Sequence, residues 1–184
     1  MNKTWWVVIA IVVVVLLYGW SAYNGFVTKN EAVDGQWAQV ETAYQRRFDL
    51  IPNLVESVKG IFGQEQAIFN ALAEARTRYS GARTVDEKAA AATQVESALG
   101  RLLVVVENYP NLRSAEAVTN LMTQLEGTEN RVSVERRRFN DSVRELNVAV
   151  KRFPGNVVAS IFGFDERTYF EAAEGAAEAP RVEF

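Results

Sequence analysis

The strongest constraint on this chain is an unbroken apolar run near its start. After Met1-Asn2-Lys3-Thr4, no charged residue occurs from Trp5 through Leu17, and the uncharged stretch continues through Tyr18, Gly19, Trp20 and Ala22 to Tyr23. A helix over those 19 residues is roughly 28 Å long, about the thickness of a bilayer's hydrocarbon core. Trp5 and Trp6 at one end, and Tyr18, Trp20 and Tyr23 at the other, suit the aromatic belts of the two membrane–water boundaries. The pattern predicts a transmembrane anchor. A cleaved signal peptide is the competing reading, because Lys3 gives a positive start and Gly19-Trp20-Ser21 resembles a small-x-small cleavage site. The anchor reading prevails because helical periodicity runs straight through that point. Orientation is nearly silent, with Lys3 on one side and Lys29 on the other; the free amino terminus tips the balance slightly toward an N-inside arrangement.

Tyr23, Phe26, Asn30, Val33, Trp37, Val40, Tyr44 and Arg47 follow steps of three and four, the seam of an amphipathic helix. The seam starts inside the apolar run, so the anchor and the first bundle helix are predicted to be one continuous rod. Asp49 can cap a new helix and proline is tolerated in a first turn, so Asp49 and Pro52 predict a break. A second helix carries Leu54, Val58, Ile61, Glu65, Ile68, Leu72, Ala75 and Tyr79. Gly60 and Gly63 weaken it by about 1 kcal/mol each relative to alanine and predict a local irregularity. Thr84 followed by Glu87 reads as a capping box, opening a third helix with Val95, Leu99, Leu102, Val106 and Tyr109 on one face and Pro110 as its stop. Ser114 can cap a fourth, whose seam is Val118, Met122, Leu125, Glu129, Val132, Arg136, Phe139, Val143, Leu146 and Val150. Pro154-Gly155 ends it.

The expected fold is all-α: an N-terminal transmembrane helix continuous with an antiparallel up-down four-helix bundle, coiled-coil-like, followed by an amphipathic C-terminal tail. The anchor is expected over residues 1–23 and the bundle over 24–153, with helices at about 24–48, 50–80, 85–109 and 115–152. An aromatic membrane-proximal segment and a loose acidic tail fill 154–184. Alternating direction returns the fourth helix to the membrane surface that the first one leaves. There it delivers Phe153, then Val157, Val158, Ile161, Phe162 and Phe164, with Tyr169 and Phe170 beyond. This stretch is expected to lie in the bilayer interface or to pack against the anchor. Packing along the side of its own bundle is the alternative.

Missing residue types narrow the chemistry. Cysteine and histidine are both absent, which excludes disulfides, thiolate nucleophiles, zinc ribbons and every histidine-based catalytic set. Only carboxylates and carbonyls are left to hold a metal. With 20 Lys and Arg against 23 Asp and Glu, the chain is mildly acidic and shows no basic stripe for nucleic acid. Glu65, Glu129 and Arg136 fall on otherwise apolar seams as a possible polar bundle layer that fixes register; the alternative puts them at the rim, reaching solvent along their aliphatic stems. A di-iron site would need Glu-x-x-His motifs, which a histidine-free chain lacks. Arg46-Arg47 beside Asp49 could hold a small anion, although basic pairs at helix ends are more often solvated. Glu135-Arg136-Arg137-Arg138 reads as a charge run ending in a solvated face.

The run Arg46-Arg47-Phe48-Asp49-Leu50-Ile51-Pro52-Asn53-Leu54-Val55-Glu56-Ser57-Val58-Lys59-Gly60 closely resembles the signature of the LemA family. So do Glu107-Asn108-Tyr109-Pro110-Asn111-Leu112, Glu129-Asn130-Arg131, Arg136 with Phe139-Asn140, and Phe153-Pro154-Gly155-Asn156. Ile161-Phe162-Gly163-Phe164, Tyr169-Phe170, the terminal Pro180-Arg181-Val182-Glu183-Phe184 and Tyr23-Asn24 are similar as well, so the likeness covers essentially the whole chain in order. It departs where many members have a His-Glu pair and this chain has Gln64-Glu65, and where Phe139 replaces a usual tyrosine. The resemblance implies a bacterial single-pass membrane protein with a helical-bundle domain, and it implies no activity. It also implies a short N-terminus outside and a cytoplasmic bundle, against the slight tilt of the charge count.

The combined expectation is a non-enzymatic, membrane-anchored interaction or scaffold protein of the bacterial inner membrane. Its expected partners are the lipid bilayer and either further copies of itself or other membrane-associated proteins. No cofactor, nucleic acid or small-molecule substrate is expected. The rival is a membrane-remodelling or lipid-binding protein acting through the C-terminal aromatic segment.

Overall fold

A computed structural model describes residues 3–59, 66–109 and 116–170, and all regular structure among them is helical. In chain order the helices are α1 (Lys3–Lys59), α2 (Gln66–Gly81), α3 (Val85–Asn108), α4 (Glu116–Lys151) and α5 (Gly155–Phe162).

The apolar run and the first seam do form one helix, and it is longer than expected. The break predicted at Asp49 and Pro52 is absent: α1 runs on to Lys59 with Pro52 inside it. The helix expected over 50–80 is therefore divided between the end of α1 and α2. An interior proline costs about 3 kcal/mol. Here the same stretch buries Phe48, Ile51 and Leu54 along one stripe while Pro52 faces solvent, and each large apolar side chain so buried contributes about 1.5–3 kcal/mol. Burial wins. Asp49 caps nothing; its carboxylate accepts a hydrogen bond from Gln45 Nε2 at 2.8 Å, one turn back. The irregularity expected at Gly60 and Gly63 lies outside the described residues, as do Ile61, Glu65, Ser114 and the side chain of Val58.

The start of α3 follows the local rule closely. Thr84 Oγ1 accepts from the Glu87 amide at 3.2 Å, and Glu87 Oε2 accepts from the amides of Thr84 at 3.3 Å and Arg83 at 2.8 Å. These amide donors hold the Glu87 carboxyl below the ordinary glutamate range, the Arg83 amide most of all. Val95, Leu99, Leu102 and Val106 are buried as the seam requires, together with Ala89, Ala91, Ala92 and Ala98. Tyr109 departs from that face. The helix ends at Asn108, the Tyr109 backbone turns extended, and its ring is exposed.

The described residues form two compact units, and α1 and α4 contribute to both. The first holds residues 3–38 and 138–169. Its core is Phe26, Val33, Phe139, Val143, Leu146, Val158 and Ala159. Trp37 meets Phe139 with ring centroids 5.1 Å apart, and Lys29 pairs with Glu145 at 3.4 Å, so α1 and α4 run antiparallel here. The second holds residues 39–137 and Phe170. Its core joins α1 (Val40, Tyr44, Phe48, Leu54), α2 (Leu72, Ala75, Tyr79), α3 and α4 (Val118, Leu125, Val132).

Both α1 and α3 are long and apolar enough to cross a membrane. The apolar face of α3 is spent on the core of the second unit. That of α1 is not: every side chain from Trp5 to Leu17 is exposed.

Candidate functional site

The short helix α5 is unusual in what it leaves uncovered. Of its large apolar side chains only Val158 is buried, while Val157, Ile161 and Phe162 are 50%, 71% and 54% exposed, and Phe153 just before it is 78% exposed. The helix is set by tight backbone geometry at both ends. At its start, a Cβ on Gly155 would lie 2.8 Å from the Ala149 carbonyl oxygen and 3.4 Å from the Phe26 ring, so only glycine fits. At its end, Gly163 takes φ 72°, the left-handed cap that glycine adopts without strain. The Phe164 amide then donates back to the Ala159 carbonyl at 3.0 Å.

Facing α5 is the distal part of the apolar stretch of α1. Between them lies an open cleft of about 1020 Å³, walled by Val14, Val15, Tyr18, Trp20 and Tyr23 on one side and by Phe153, Pro154, Val157, Ile161 and Phe162 on the other. Tyr23 meets Phe162 edge-on at 5.0 Å and Phe164 at 5.7 Å, and Phe26 meets Phe164 at 5.3 Å. The structure thus gathers Tyr18, Trp20 and Tyr23 of the expected anchor with Phe153, Val157, Val158, Ile161 and Phe162 of the expected tail. Phe164 is half-buried beneath them, and Trp5 and Trp6, both exposed, are not part of the cleft. The lining is hydrocarbon apart from the Asn24 amide, the Trp20 indole N–H and the Tyr18 and Tyr23 hydroxyls, so the cleft can take up an apolar group.

The segment after α5 is pinned by polar contacts that the seams alone did not reveal. Buried Asn147 bonds the Arg167 backbone twice: Nδ2 donates to its carbonyl and Oδ1 accepts from its amide, both at 2.9 Å. The Arg167 guanidinium donates to Asn30 Oδ1 at 3.2 and 3.1 Å and to both Asp34 oxygens at 3.0 and 3.2 Å. Asn30, the odd amide on the first seam, is there to receive it. Asn147 lies one turn after Val143 and three residues before Val150, a seam position that its spacing could have exposed. Lys151 pairs with Glu166 at 2.7 Å, and that hydrogen bond holds the Lys151 ammonium pKa above its usual value.

Of the proposed polar layer, Glu65 lies outside the described residues. Arg136 is half-buried, and its Nη1 donates to Glu96 Oε1 at 3.2 Å; Tyr44 Oη donates to the same oxygen at 3.1 Å. The Arg136 guanidinium also lies 4.4 Å from the centroid of the buried Phe170 ring. Glu129 is instead 65% exposed and stands 3.6 Å from Arg47. The partner missed in the sequence is Glu96, which sits beside Val95 and off the seam. Burial, and next the Glu96 charge, push the Tyr44 phenol far above its ordinary pKa; burial does the same to Tyr79. Among the described residues no group of three Asp or Glu is placed to hold a metal ion.

The sequence model of the LemA family matches residues 36–184. The chain belongs to the LemA family. Among relatives of this LemA chain is the magnetosome protein MamQ of Magnetospirillum gryphiswaldense, 29% identical over 174 residues, covering 80% of this chain and 64% of the relative. Magnetosome proteins MamQ 1 and MamQ 2 of Paramagnetospirillum magneticum are 28% identical over 175 residues, covering 81% of this chain and 64% of each relative. The LemA chain thus spans less than two thirds of the length of the relatives it matches.

Proposed function

We propose that this LemA-family chain is a non-enzymatic, membrane-anchored protein that presents a helical bundle at a bilayer surface and engages the lipid a second time through α5. The observation that carries this is the open apolar cleft between the end of the α1 apolar stretch and α5, in which Phe153 and Ile161 stay 78% and 71% exposed. An apolar patch of that kind on a soluble surface marks a contact site. Its placement beside an uncharged stretch of membrane length, flanked by Trp20 and Tyr23, makes the bilayer interface the natural occupant. The arrangement of α1 to α4 is read as an up-down-up-down bundle. It is supported by the antiparallel Lys29–Glu145 and Trp37–Phe139 pairs and by the shared Tyr44–Glu96–Arg136 contacts of α1, α3 and α4. The setting is the bacterial inner membrane, crossed once by α1.

The MamQ relatives carry the name of a cellular structure, the magnetosome, rather than of a reaction, which agrees with a role that is not catalytic. Self-association as a scaffold has thinner support. Among the described helix residues outside the cleft and the apolar stretch of α1, the exposed valines Val104, Val134 and Val148 stand singly along the sequence, as they do on many monomers.

The test is amide hydrogen exchange on the full chain in nanodiscs. The α5 amides should exchange more slowly in lipid than in the Val157→Glu, Ile161→Glu double variant, with α3 unchanged between the two. Equal α5 exchange in both proteins would remove the second lipid contact from the account.

A further inference from the structure

The second unit holds a cavity that the membrane role does not use. It measures about 390 Å³ and lies where α1, α3 and α4 meet, with Leu99, Leu103, Met122 and Leu125 as its apolar wall and Arg47 reaching it from α1. The Arg47 side chain is only 6% exposed. Its Nη2 stands 3.6 Å from Glu129, a carboxylate that is itself 65% exposed. Nε and Nη1 are buried and have no acceptor among the described residues.

A guanidinium keeps its charge at any accessible pH. Burying it against one long contact to a mostly hydrated carboxylate is unfavourable, and an apolar residue of similar size would suit a core better. What the arrangement does suit is an incoming acceptor. A carboxylate or a phosphodiester brings oxygens to a guanidinium in charge-assisted hydrogen bonds. The four apolar side chains would cover an aliphatic body, and the volume falls within the range of about 300–1,000 Å³ for small-molecule sites. Glu126 and Glu129, both exposed members of the lining, stand against multiply charged anions and favour a single negative charge.

We infer that this cavity binds an amphiphile with a singly charged anionic head, held by Arg47, and an aliphatic chain, held by the α3 and α4 wall. The head belongs either to a free monocarboxylic acid or to a phosphodiester lipid, and the same assay separates them. The full chain is melted in phosphatidylcholine nanodiscs with octanoate, acetate or octanol added, and again with a water-soluble short-chain phosphatidylglycerol added. Octanoate should raise Tm by about 2–5 °C at about ten times its dissociation constant, while acetate and octanol leave it unmoved. A shift with phosphatidylglycerol and none with octanoate assigns the head to a lipid. In either case Arg47→Met should abolish the shift. Met122→Trp, which fills the cavity and keeps the guanidinium, should abolish it too, and it decides the matter if Arg47→Met does not fold. An equal shift in either folded variant, an equal shift with octanol or acetate, or no shift with either amphiphile overturns the site.

Discussion

By length and composition, both α3 and the first part of α1 are able to cross a membrane, α1 being the more apolar of the two. In the folded chain their fates diverge. α3 carries Asp86, Glu87, Lys88, Glu96, Arg101 and Glu107 around an apolar face, and that face is consumed by the core through Val95, Leu99, Leu102 and Val106. The stretch from Trp5 to Leu17 is apolar around its whole circumference and meets no core. The two stretches therefore differ in the width of the apolar surface as well as in its amount. α5 stands between the two extremes, with Val158 and Ala159 buried and Val157, Ile161 and Phe162 in the open.

The comparison can be broken most sharply on the α1 side. Val12→Arg with Val14→Arg should cost about 5–7 kcal/mol of insertion, since one arginine near a bilayer centre costs about 2.5–3.5 kcal/mol. The full chain should then leave the membrane fraction in a flotation assay while the α3 amides keep their protection from hydrogen exchange. The mirror experiment is Leu102→Ala in α3, at a fully buried position. It should lower stability by about 2–5 kcal/mol in thermal melts and leave flotation unaltered. If the α3 variant changed membrane residence instead, the distinction drawn here would be wrong.

Smaller effects sharpen the intermediate case and the local rules. Gly155→Ala forces a carbon to within 2.8 Å of the Ala149 carbonyl, and such overpacking costs about 1–3 kcal/mol. Its melting temperature should fall, and the exchange of α5 amides should rise with it. Smallest is the capping box of α3. Glu87 titrates below its ordinary 4.5 when folded, so its stabilising contribution is present above that pH and is lost as pH falls through the lower folded value. Glu87→Gln should flatten the acid limb of a Tm-against-pH curve below about pH 4.5. Thr84→Ala should lower Tm at neutral pH by the equivalent of about 1 kcal/mol.

Much of this was legible in the sequence because it is local. The seams of α3 and α4, the Thr84–Glu87 box and the continuity of the apolar run with the first seam follow from spacings of three and four and from nearest-neighbour hydrogen bonds. Pro52 misled because the proline rule is local, whereas the burial of Phe48, Ile51 and Leu54 that overrides it is tertiary. The Tyr44–Glu96–Arg136 contact was hidden for the same reason: residue 96 lies off the seam, and only the packing of three helices brings it to residue 136. The clamp of Asn147 and Asn30 on Arg167 joins residues 137 apart at its widest, beyond any periodicity. The site itself was partly visible, since the apolar character of residues 153–164 is plain, but which of those side chains Tyr23 and Phe26 would meet was not.

The account rests on the exposed side of α5 being wetted by lipid, and a spin label reads that directly. The chain has no cysteine, so Ile161→Cys gives a single labelling point in the full protein reconstituted in liposomes. The expected result is ready collision with dissolved oxygen and shielding from a water-soluble nickel chelate, matching a label at Val14→Cys and unlike one at the solvent-facing Glu145→Cys. A label at position 161 that meets the nickel chelate as freely as the one at 145 would contradict the claim.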